Sequence, residues 1–157
     1  MNINGITALP GAFAGAVNLI QIPENISGIV DTSYMLSGAT SYNGDEIETW
    51  DFTDTVNMSG MLDDCGLEPE KYNSFIMTLA DWVTETGASG RVLGAANVWW
   101  GNVEYDGYEH ADTDIARTYL TDTAGWTFTN DKEAQVIVIN TALGTGTDID
   151  LSYRSNV

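Results

Sequence analysis

The chain has 157 residues, 43% apolar and 10% aromatic, which suits one domain with a core and is too apolar for a disordered segment. Its formal charge of −18, from 23 acidic and 5 basic side chains, excludes the basic stripe that nucleic-acid binding needs and disfavours anionic membranes. The single Cys65 permits neither an internal disulfide nor a cysteine zinc site, and no run of about 20 apolar residues is present to insert into a bilayer.

In chain order, ITALPGAFAGAVNLI comes first, with the apolar run and small residues of a signal peptide. MNING supplies no positive charge and Pro10 interrupts the run, so the chain is expected to travel without the general secretory route. Three segments then superimpose, TALPGAFAGA (7–16), VDTSYMLSGA (30–39) and VNMSGMLDDC (56–65), at offsets of 23 and 26 residues. Leu9, Thr32 and Met58 correspond, as do Ala12, Met35 and Met61, and Phe13, Leu36 and Leu62. Polar stretches lead on to Leu19 and Ile22 in the first copy, and to Tyr42, Ile47 and Trp50 in the second. The pattern predicts a short solenoid whose units bury apolar points only against their neighbours. Its period lies in the leucine-rich-repeat range.

SGATSYNGDEIETWDFTDTVNMSGML resembles the BspA-type leucine-rich repeat of bacterial surface proteins. Units of that family run as phenylalanine–asparagine, then Trp-Asp, then a Val-x-x-Met-x-x-Met-Phe turn. Tyr42-Asn43, Trp50-Asp51 and Val56 to Leu62 occupy those places, with Leu62 where phenylalanine is usual. GLEPEKYNSFIMTLADWV, VLGAANVWW and ARTYLTDTAGWTFTND resemble the segment that closes such arrays. The resemblance spans roughly residues 4–131 and implies a repeat fold used in attachment and recognition.

The closing segment is legible without it. Tyr72, Phe75, Ile76, Leu79, Ala80 and Val83 fall on one face of a helix that Pro69 can open and Gly87 can end. Val92-Leu93 reads as a short strand, and a second helix is predicted over about 112–123, with Ile115, Ala116, Tyr119 and Leu120 on one face. Asp112 or Thr113 suits its cap and Gly125 its end. Trp126 to Phe128 reads as a further strand, and 134–153, AQVIVINTALGTGTDIDLSY, as a β-hairpin. The expected architecture is mixed α/β: a short leucine-rich-repeat solenoid with a helical C-terminal cap over residues 1–131, and a β-hairpin tail over 132–157.

Chemistry is sparse. His110, in YEHADTD, is the only histidine and lacks a catalytic context. Asp63 and Asp64 before Cys65 favour a sluggish thiol. The carboxylate pairs Glu46/Glu48, Asp112/Asp114 and Asp148/Asp150 leave a glycan-processing enzyme open as an alternative, although 23 acids make close pairs by chance. No loop has the spacing of a calcium site, and GASGRVLG and LGTGTD do not match a phosphate loop. The candidate binding residues are Trp99, Trp100, Tyr105 and Tyr108, since Trp and Tyr are enriched at interfaces and stack on sugars.

The expected function is non-enzymatic, without metal or cofactor: a structural or adhesion module working with protein partners in an assembly, as a homo-oligomer or against a host surface or glycan. The absence of a leader points to a bacteriophage virion surface, as head decoration, fibre or tail tip; a bacterial extracellular surface is the alternative. The candidate assembly residues are Leu9 and Phe13, on an uncapped first unit, and Val136, Val138, Ile149 and Leu151 of the hairpin.

Overall fold

The computed structural model describes residues 6–22, 26–104 and 106–134. Helix α1 runs Pro69–Thr86, with proline in its first turn and Gly87 left-handed after its last. Tyr72, Phe75, Ile76, Leu79, Ala80 and Val83 are all buried along it, and Phe75 packs its ring 5.4 Å from that of Phe52. Helix α2 runs Thr113–Thr118, where the Asp112 side chain accepts from the Ile115 N–H at 2.8 Å. It continues as a wider π-helical turn over Tyr119–Thr123. Ala116 and Leu120 enter the core and Tyr119 is half-buried, whereas Ile115 faces solvent.

Among the described residues four short strands, all paired in parallel, form two small sheets. β1 (Val92–Gly94) pairs with β3 (Thr127–Thr129), Leu93 opposite Phe128. β2 (Trp99–Trp100) pairs with β4 (Lys132–Glu133), Trp99 opposite Lys132. Before β1 the strand-like pairings among the described residues are single-residue bridges: Ala8 with Asp31, Asp31 with Asn57, and Met58 with Leu93. The first two bridges reproduce the sequence offsets of 23 and 26 residues.

The expected leucine-rich-repeat solenoid with a helical cap is not what forms. No solenoid is evident among the described residues, which make two helices and short parallel strands in two small sheets. Segments 7–16, 30–39 and 56–65 cannot extend into strands because left-handed residues recur in them: Gly11 and Gly15, Tyr34 and Gly38, Gly60 and Asp64. The spacing is also not kept, since Met58 meets Leu93 and Val92 meets Thr127, each 35 residues on. The added length is helical. α1 links segment 56–65 to its neighbour β1, and α2 lies between β1 and its neighbour β3. Both helices are the crossovers that parallel neighbours require, not a lid on one end.

The turns in these segments hydrogen-bond side by side. N–H groups of Leu9, Gly11, Phe13 and Gly15 donate to carbonyls of Asp31, Ser33, Met35 and Ser37. Those of Thr32, Tyr34, Leu36 and Gly38 donate to Asn57, Ser59, Met61 and Asp63. Leu62 and Asp64 donate to Gly94 and Ala96, and Ala95 and Asn97 to Thr129 and Asn130. Met35, Leu36, Met58, Met61 and Leu62 are fully buried between these turns and α1's apolar face belongs to the same core. The predicted hairpin over 134–153 lies outside the described residues, except for Ala134, whose N–H donates to the Trp100 carbonyl at 2.7 Å.

Candidate functional site

β2 sends its two tryptophans to opposite sides. Trp100 enters the core, 8% exposed, with the Arg117 guanidinium 4.7 Å above its ring. That guanidinium also lies 4.0 Å from the Phe128 ring and bonds both oxygens of Asp131, at 2.6 and 2.9 Å. Tyr72 donates its hydroxyl to the same carboxylate at 3.0 Å. Burial, and after it the Asp131 charge, hold the Tyr72 phenol well above its usual range. Trp100 is therefore part of a closed network joining α1, α2 and the turn before β4.

Trp99 is half-buried, with the Lys132 ammonium 5.3 Å from its ring. Tyr108 is half-buried against the core, and Tyr105 lies outside the described residues. Of the four candidate binding residues, the described structure leaves Trp99 as an aromatic face near solvent. The loop beyond it is tied down by Asp81, which accepts from the Glu109 N–H at 3.1 Å and lies 3.4 Å from His110 Nδ1. The imidazole packs on the Tyr119 ring, centroids 4.8 Å apart. His110 thus anchors the loop to α1.

Among the acids, Glu46 is buried and accepts from the Ile22 N–H at 2.6 Å, while its other oxygen has no partner. The Tyr42 hydroxyl beside it and the Trp50 indole N–H are also buried without partners. Burial first, then the Glu46 carboxyl, push the Tyr42 phenol far up. This carboxyl and phenol lie side by side, and both are sealed from solvent. Glu48 is half-exposed, Asp112 caps α2, and Asp148 and Asp150 lie outside the described residues. Cys65 is pushed up to about 11, by burial before the Asp63 and Asp64 charges, so its thiol is not a nucleophile at neutral pH. Among the described residues no three His, Cys, Asp or Glu side chains cluster as a metal needs, and no helix is long and apolar enough to cross a membrane.

The feature that sequence reasoning located only in part is the outer side of segment 7–16. Leu9 and Phe13, expected at an open end, are half-buried and packed against the core. Around them Ile6, Val17 and Ile20 are 40, 52 and 59% exposed. The counterparts of Asp31, Ser33, Met35 and Ser37 are Ala8, Pro10, Ala12 and Ala14, and their carbonyls accept nothing among the described residues. This row of acceptors was missed, because the direction of a carbonyl is not written in a side-chain pattern. A signal existed in the charge distribution: the first 23 residues hold no charged side chain, and the rest hold all 28. Val136, Val138, Ile149 and Leu151, the other candidate assembly residues, lie outside the described residues. No family model matches the chain, and neither a curated protein nor a solved structure matches it significantly.

Proposed function

We propose that the protein is a non-enzymatic assembly module displayed on a surface, with a bacteriophage virion as its setting. The observation that carries the reading is the uncharged, apolar side of segment 6–22 on a molecule of charge −18. Interface cores are depleted in charged residues, and contiguous exposed apolar side chains mark contact surfaces. The acidic remainder keeps unassembled copies apart and soluble. Two further features support the reading: residues 38–62 and 115–131 resemble segments of bacterial surface proteins, and the adjacent carboxyl and phenol are buried rather than set in a cleft.

An antibody against the purified protein tests the setting. The reading expects labelling of intact particles by immuno-electron microscopy. Labelling confined to the envelope of bacterial cells moves the module to a cell-surface adhesin, and labelling of neither surface contradicts display.

A further inference from the structure

The hydrogen bonds between the turns have a direction. Along the turn face most bonds run one way: the segment nearer the N-terminus donates N–H groups and the next one accepts them, while Val30, Val56, Asn57, Gly94 and Thr127, at or near the start of their segments, donate back. The two outer edges are therefore unlike. The edge of segment 7–16 presents the carbonyls of Ala8, Pro10, Ala12 and Ala14. At the opposite edge, Asn130 follows the pair Gly94–Thr129 and so takes the place that Ala95 holds one segment earlier. Ala95 donates onward to Thr129, while the N–H groups of Asn130 and Asp131 donate to nothing among the described residues.

Resting on the assembly reading above, we propose that a second copy of this chain docks on the outer edge of segment 7–16, stacking head to tail through its own 126–131 edge. The polarity selects this occupant and this arrangement. A two-fold pairing of 7–16 with itself would set acceptors against acceptors, whereas the 126–131 edge brings the N–H groups of Asn130 and Asp131 to them. The acceptor edge contributes no charge, so two copies of −18 meet where repulsion is least. Carbonyls that accept nothing among the described residues, beside Leu9 and Phe13, behave as an open sheet edge does and template the addition of another segment. A contact between unlike surfaces does not close on itself unless it forms a ring, so the stack grows.

Sedimentation velocity on the full chain tests the arrangement at about 0.1 M and about 1 M salt, since screening relieves the repulsion of the acidic surfaces. The expected result is mass that rises beyond a dimer with concentration at the higher salt. Ala12→Lys, or Val17→Lys at a second exposed position, is expected to hold the chain monomeric with its circular dichroism unchanged. Each lysine lowers the negative charge, so a loss of assembly cannot come from added repulsion. A wild-type chain that stays monomeric throughout, stops at a dimer, or assembles equally well as Ala12→Lys overturns the inference. A monomer that still labels a particle surface refutes the stacking and leaves the display reading standing; a stacking chain that labels no surface does the reverse.

Discussion

Asp131 concentrates three donors on one carboxylate, from Arg117 twice and from Tyr72 once. Its side chain is 5% exposed, so the cation beside it is what makes its charge tolerable. Arg117→Ala strands that charge and is expected to cost about 3–5 kcal/mol, read from the urea midpoint. A loss below about 1 kcal/mol would show the pair to be a solvated surface contact. Leu62 supplies the apolar counterpart: it is fully buried between turns, and Leu62→Ala is expected to cost about 2–5 kcal/mol. A cost under about 0.5 kcal/mol, the range of surface substitutions, would contradict its place in the core.

Cys65 tests burial through pH. Its thiol is raised from 9.0 to about 11, so the folded state holds the proton more tightly than the unfolded chain does. The stability this gives is intact below pH 9.0 and is lost as pH rises towards 11. Alkylation of the native protein at pH 8 is therefore expected to lag far behind that of the urea-unfolded chain. Equal rates would place the thiol in solvent.

At the scale of elements, contact between neighbouring turns depends on absent side chains. A Cβ on Gly94 would strike the backbone of Gly60, and one on Gly60 would strike the Tyr34 ring. Gly94→Ala forces segment 56–65 away from β1 and is expected to cost about 3 kcal/mol in the same unfolding measurement. A neutral result would mean that these segments are not in contact.

The helices show what a sequence can disclose. α1 was legible because its signals are local: Pro69 at the start, Gly87 at the end, and apolar side chains at helical spacing between them. The N-cap of α2 was legible for the same reason, but its face was not. Six regular residues followed by a π-helical turn do not keep one period, so Ala116 and Leu120 reach the core while Ile115 faces out. The segments were harder still. Their offsets correctly paired Ala8 with Asp31 and Asp31 with Asn57, yet offsets do not reveal that left-handed turns replace strands. Nor do they show that the next partner, Leu93, lies across a whole helix. Among the binding aromatics, Trp99 and Trp100 look alike in sequence. Only the pairing of β2 with β4 sends one to solvent and the other under Arg117.

At the scale of the molecule, charge and backbone polarity point to the same surface. Every charged residue lies beyond position 23, and the uncharged part carries the carbonyls that accept nothing among the described residues. Long-range repulsion between acidic bodies and short-range pairing of their edges together make assembly dependent on salt and concentration. The most direct measurement places a photo-activated cross-linker, p-benzoylphenylalanine, at Thr7, an exposed position just before the acceptor row, in the full chain at high salt and maps the products by mass spectrometry. Intermolecular cross-links from position 7 to residues 126–134 of another copy are predicted. Cross-links that run only between the 6–22 segments of two copies, or no intermolecular product at all, would contradict it.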